Sequence, residues 1–163
     1  MKSFKFALIV IMILLSSCNF EQPTTFSKEA LNEVLVTQSG NSITLNKVLD
    51  KYQGKQVFID VWASWCKDCL EGLPKLKSIQ DENPETVFLF LSVDKTENAW
   101  RNGIKKYKIS GEHYFIKTGW DGALSDFLNL NWIPRYMLVD KKGEIKLFKA
   151  TNLQDKAIVE AFK

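Results

Sequence analysis

Val57-Phe58-Ile59-Asp60-Val61-Trp62-Ala63-Ser64-Trp65-Cys66-Lys67-Asp68-Cys69 decides how the rest of this chain reads. Its first six residues are β-branched or aromatic, and apolar apart from Asp60. That is the pattern of a strand buried on both faces. After Cys66 the sequence predicts a helix to about Asp81, with Pro74 inside it. Cys66 therefore stands at a helix N-terminus, where unpaired N–H groups and the helix dipole favour a thiolate. Cys69 follows three residues later, within the first turn and close enough to close a disulfide. A pair so placed can exchange disulfides: Cys66 attacks, a mixed disulfide forms, and Cys69 resolves it. The spacing alone leaves two other uses open. One is half of a zinc site, although such sites usually have four ligands. The other is a structural cross-link, which would restrain the unfolded chain little across so short a loop. Asp60 is the second residue of chemical interest. A carboxyl buried without a cation has a raised pKa and can exchange a proton near neutral pH.

Outward from this stretch, strands and helices alternate. On the N-terminal side, residues 34–37 and 42–45 flank Gln38-Ser39-Gly40-Asn41 and read as a hairpin. Asn46 is the expected cap of a short helix to about Tyr52. On the C-terminal side, residues 86–93 read as a second buried strand. Residues 96–108 carry Trp100, Ile104 and Tyr107 at helical spacing. A short strand at 113–116 and a helix at 123–130 come next. Residues 135–140 and 144–149 form a hairpin around Lys141-Lys142-Gly143, and a helix at 155–162 ends the chain. The order predicts one α/β domain over residues 31–163, with a mixed central sheet flanked by helices and an N-terminal β-hairpin.

The first thirty residues read differently. Lys2 and Lys5 precede an unbroken apolar run, 6–15, followed by Ser16, Ser17 and Cys18. Ten apolar residues suit the core of a signal peptide and are too few for a membrane span. Leu15-Ser16-Ser17-Cys18 resembles a bacterial lipobox. That implies a signal peptide at 1–17, a lipid on Cys18, and a flexible tether through residue 30. An exported chain with three cysteines then has one consumed by lipid and two left as a pair. Without Lys2 and Lys5, 20 basic residues face 19 acidic ones. So balanced a charge gives no reason to expect a nucleic-acid partner.

The lead-in to Cys66 resembles the active-site stretch of the thioredoxin superfamily. The Trp62-Ala63-Ser64-Trp65 approach and the exported start are similar to its membrane-anchored TlpA/ResA-like branch. The similarity runs from about Val34 to the C-terminus, with Pro74 five residues after Cys69 and Ile133-Pro134 ahead of a strand and Gly143. The resemblance implies a thioredoxin-like fold, with Cys66 as nucleophile, Cys69 as resolving thiol and Asp60 as the acid serving it. It further implies a cis Ile133–Pro134 bond beside the cysteines, whose backbone can pair with an extended substrate. Trp65 and Trp132 would rim that site. Two positions depart from the pattern. Asp68 stands where many relatives have proline, and Gly72 where many in this branch have glutamate. Lys67 and Asp68 oppose each other's effect on a Cys66 thiolate, so the direction of electron flow is left open.

The expected function is an envelope thiol–disulfide oxidoreductase, a periplasm-facing lipoprotein and a monomer. It would reduce or isomerise disulfides of exported proteins, cytochrome apoproteins among them. Its electrons would come from a membrane donor, and it would use no metal or cofactor beyond the Cys66–Cys69 pair. Two alternatives stand beside it. One is a thiol peroxidase of the related peroxiredoxin type, against which Ala63 counts, since those proteins carry threonine there. The other is a copper-delivery protein using Cys66, Cys69 and His113.

Overall fold

The computed structural model describes residues 22–162. The proposed signal peptide and Cys18 lie outside the described residues. In chain order the elements are α1 (Lys28–Leu31), β1 (Val34–Thr37), β2 (Ser42–Thr44), α2 (Leu45–Asp50), β3 (Val57–Trp62), α3 (Lys67–Glu82) and β4 (Val87–Ser92). They continue as α4 (Glu97–Tyr107), β5 (Glu112–Ile116), α5 (Ala123–Phe127), β6 (Arg135–Val139), β7 (Ile145–Ala150) and α6 (Lys156–Ala161).

The strands form one mixed sheet in the order β2-β1-β5-β4-β3-β6-β7. β5, β4 and β3 are parallel, while β6 and β7 add antiparallel on one side and β1 and β2 on the other. β3 lies at the centre, and all six of its residues are buried. Its continuous apolar run is what a strand covered on both faces requires. Register places Tyr136, Asp60, Phe90 and His113 in one row across β6, β3, β4 and β5. Side chains paired across strands share a face. This is a thioredoxin-like fold, a mixed sheet flanked by helices with the β1–β2 hairpin at the N-terminal end.

Several boundaries differ from the sequence reading, each for a local reason. The folded domain starts before residue 31. Ser27 caps α1 by accepting from the Ala30 N–H, Ala30 is fully buried, and Phe26 packs on Phe127 at 5.4 Å. The Ile145 N–H reaches the Thr24 carbonyl at 2.7 Å. Residues 24–30 thus belong to the domain, and the tether expected to extend through residue 30 is shorter. Thr44, not Asn46, caps α2, because its extended backbone lets its hydroxyl accept from the Lys47 N–H. Asn46 lies inside that helix and bonds Asp50. α5 ends at Phe127 because Asn129 takes a left-handed conformation (φ 45°), which turns residues 128–134 toward the cysteines.

Gly111, before β5, has a φ of 143°. A Cβ there would lie 2.6 Å from the Phe90 ring and 2.7 Å from the Phe88 carbonyl oxygen. Neither the backbone conformation nor the strand edge can yield cheaply. Gly111→Ala should lower stability by roughly 2–4 kcal/mol, read as a lower urea midpoint with an unchanged slope.

Candidate active site

The site forms where β3 ends and α3 begins. Cys66 is the N-cap of α3, and its Sγ accepts from the Cys69 N–H at 3.1 Å. A sulfur in the place of a capping oxygen answers one of the four N–H groups that a helix start leaves unpaired. The same position stabilises negative charge on it. Cys66 and Cys69 are joined as a disulfide, with their Cα atoms 5.3 Å apart. Both are buried, and Cys66, unlike Cys69, lines the groove beside the pair.

That groove has a volume of about 350 Å3 and is walled by Trp65, Trp120, Trp132 and Ile133. Trp65 is 55% exposed and Trp132 58%, so two large apolar side chains flank the disulfide in contact with solvent. The Ile133–Pro134 peptide is cis, as the sequence reading expected. It brings the Ile133 carbonyl oxygen to 3.7 Å from Cys66 Sγ. Trp65, Trp132, Ile133 and Pro134 thus all come to the cysteines.

Asp60 lies within β3 and is buried, with its Oδ1 lacking any hydrogen-bond partner. Burial alone pushes its pKa up to about 8. Its row neighbour Tyr136 places its hydroxyl 3.3 Å from where a Cβ on Gly72 would stand. α3 therefore covers the face of the sheet that carries Asp60, and Cys69 lies one turn before Gly72 on that helix. A Cβ at Gly72 would also lie 3.4 Å from Leu153, so a side chain there would have to fit tightly between Tyr136 and Leu153.

His113 does not join this site. It lies in β5, separated from β3 by β4, and its ring stacks on Phe90 with centroids 4.9 Å apart. Its Nε2 pairs with the Ile109 carbonyl at 3.0 Å, and burial lowers its pKa. Strand register commits this side chain to the core. The copper set of Cys66, Cys69 and His113 is therefore not assembled. Among the described residues, no three His, Cys, Asp or Glu side chains cluster to hold a metal.

Three contributors escaped the sequence reading. Trp120 forms the third aromatic wall, from the turn after β5. Asp94, buried just beyond β4, grips the loop before Cys66 through Ser64. Arg135, also buried, donates to the Leu128 carbonyl and to Asn131 Oδ1, each at 3.1 Å, and so ties the loop that ends in the cis-proline. The signal for Asp94 was its position at the carboxyl end of a strand next to β3, where open α/β sheets build their sites.

A redox-active cysteine pair at a helix N-terminus, on a thioredoxin-like sheet and beside a cis-proline, defines a thiol–disulfide oxidoreductase. The chain belongs to the thioredoxin-like family, whose model matches residues 54–145. It is similar to thiol-disulfide oxidoreductase ResA of Bacillus thuringiensis subsp. konkukian, at 25% identity over 86% of this chain and 83% of that one. It is also similar to an uncharacterized protein of Haemophilus influenzae, at 35% identity over 60% of this chain and 65% of that one. Among solved structures, one assigned as a thiol-disulfide oxidoreductase from Bacteroides vulgatus superposes with a TM-score of 0.67 at 30% identity. It covers 84% of this chain and 88% of its own.

The raised pKa of Asp60 makes stability depend on pH. Below pH 4 the carboxyl is protonated whether the chain is folded or not. Between pH 4 and about 8 only the unfolded chain ionises it, so stability falls as pH rises through that window. Asp60→Asn should remove that slope and raise stability at pH 8 by on the order of 5 kcal/mol at most. Urea unfolding at pH 4, 6 and 8 measures both.

Proposed function

We propose that this protein is an envelope thiol–disulfide oxidoreductase that reduces or isomerises disulfides of exported proteins. Cytochrome apoproteins, with closely spaced cysteines, are one suitable class of substrate. The observation that carries the reading is the placement of Cys66: helix N-cap, disulfide partner of Cys69, and the one cysteine of the pair on the tryptophan-walled groove.

In the reducing direction the Cys66 thiolate attacks a substrate disulfide. One substrate sulfur leaves as a thiolate and takes a proton, and a mixed disulfide joins Cys66 to the other. Cys69, buried behind it, loses its proton and attacks Cys66 Sγ, releasing the second substrate thiol and forming the Cys66–Cys69 bond. Asp60 is suited to receive the Cys69 proton. With a pKa of about 8 a minor fraction of it is ionised near neutrality, and that form can take the proton and later return it. The Ile133 backbone beside the cis-proline offers pairing to an extended peptide, and Trp65, Trp120 and Trp132 offer apolar contact around it. The reading needs no metal or organic cofactor. A membrane donor would return the pair to the dithiol. The lipobox-like residues 15–18 support a lipid anchor on Cys18 that would hold the protein at the membrane surface. Among the described residues, no helix is long and apolar enough to cross a membrane.

Two experiments test this. With a disulfide-bonded Cys-x-x-Cys-His peptide, Cys69→Ser should accumulate a mixed disulfide through Cys66, and Cys66→Ser should form none and lose turnover at least 100-fold. Failure of Cys69→Ser to hold the peptide contradicts the assigned roles. Trp120→Ala or Trp132→Ala should raise KM for the peptide about 5- to 20-fold, equivalent to ~1–2 kcal/mol of lost contact, with kcat little changed.

A further inference from the structure

Asp94 is 3% exposed and lies two residues beyond β4. Both of its carboxylate oxygens accept hydrogen bonds. The Ser64 N–H lies 3.2 Å from Oδ1 and 3.0 Å from Oδ2, and the Ser64 hydroxyl donates to Oδ1 at 2.7 Å. The Ser92 hydroxyl donates to Oδ2 at 2.9 Å, while the Asp94 N–H turns back onto that hydroxyl at 3.0 Å. Among the described residues no lysine, arginine or histidine pairs with Asp94. Behind the loop, α4 approaches so closely that a Cβ on Gly103 would stand 2.5 Å from the Ser64 Cβ. Ser64 is thus held from two sides, two residues before Cys66.

We propose that Asp94 is a positioning residue for the thiol chemistry: through Ser64 it fixes the loop that presents Cys66, and its unneutralised charge disfavours the Cys66 thiolate and biases the pair toward giving electrons. This rests on the reading of Cys66 as the attacking thiol. Arg135, buried one residue beyond Pro134, is the opposing cation, and its guanidinium donates to the Leu128 carbonyl and Asn131 and not to Asp94. The remaining charges near Cys66 are exposed. Lys67 and Glu71 pair at 3.6 Å with side chains 83% and 65% exposed, and Asp68 is exposed as well, so water and salt screen all three. Asp60, with a pKa of about 8, is mostly protonated at pH 7. Asp94 is buried and reaches the loop two residues before Cys66 through Ser64, and a charge acting largely across protein counts for several times more than one acting across solvent. Destabilising the thiolate destabilises the reduced form, and that lowers the reduction potential. Asp94 therefore tilts the balance left open by Lys67 and Asp68 toward a reductant, against the pull of the buried Arg135.

The test is equilibration with glutathione at pH 7. The dithiol gives two electrons and two protons, the Cys66–Cys69 bond forms, the glutathione disulfide bond breaks, and two glutathione thiols are released. Asp94→Asn keeps the shape and removes the charge. It should lower the equilibrium constant for oxidation of the pair by up to about tenfold, a rise of at most ~30 mV in potential. The pH at which Cys66 becomes reactive to alkylation should fall by up to about one unit. Ser64→Ala keeps the charge and removes a donor that attenuates it, so it should move the constant the other way, about twofold. A clasp that merely holds the loop would move both variants in the same direction. Equal shifts, or no shift in either folded variant, overturn the proposal. Should Asp94→Asn not fold, a Ser64→Ala constant that stays level or falls overturns it alone. Wild-type peptide reduction separates this from a failure of the proposed function, which would abolish that activity whatever the potentials of the variants.

Discussion

The first turn of α3 has backbone N–H groups that need acceptors, and Cys66 supplies one with its sulfur. The rest of the site depends on that interaction. β3 can be buried on both faces only because helices cover it, so the chain must leave the sheet abruptly after Trp62 and enter a helix within a few residues. A helix start is where backbone dipoles are least satisfied. A thiol set there is drawn toward its thiolate without any neighbouring base. Cys69 then falls one turn inside the helix, buried, at the distance a disulfide needs. Of the two sulfurs, that of Cys66 borders the groove and that of Cys69 lies in the core, and the proposed roles of nucleophile and resolving thiol follow that difference.

Around this pair lie two buried carboxyls in opposite conditions. Asp60 has an oxygen with no partner, and burial holds its proton on near neutral pH. Asp94 accepts from a backbone N–H and two hydroxyls. The sheet supplies the difference. Asp60 sits in mid-strand, where its neighbours in the row are Tyr136 and Phe90. Asp94 sits past the end of β4, where loop donors can reach it. A mid-strand acid that keeps its proton can exchange it, and a loop acid that has donors can carry charge. On the proposed reading, one residue type would serve both a proton step and an electrostatic bias.

Much of this was legible in the sequence. The apolar runs of β3 and β4 and the helical spacing of α4 gave the central layer, because their residues are buried for reasons of local pattern. Cys66, Cys69, Asp60, Trp65, Trp132 and the Ile133–Pro134 loop could be named because each breaks the pattern around it or matches a family motif. What escaped depends on contacts between distant segments. Trp120 looks like any turn aromatic until the chain brings it beside Trp132. Asp94 is one acid among 19 until Ser64 arrives from thirty residues away. α1 is four residues long, too short for periodicity to reveal. His113 reads in the sequence as a strand residue first and as a ligand only in the copper alternative. Its register against Phe90 makes it part of the core.

The central claim is that the two cysteines are chemically unequal, Cys66 being the nucleophile because of the helix start and the groove. Timed alkylation of the fully reduced protein, with each cysteine located by peptide mass, tests it most directly. The account predicts that below pH 8 Cys66 is modified at least ten times faster than Cys69, at a rate that rises with its own thiolate fraction. Equal rates, or faster modification of Cys69, would contradict it.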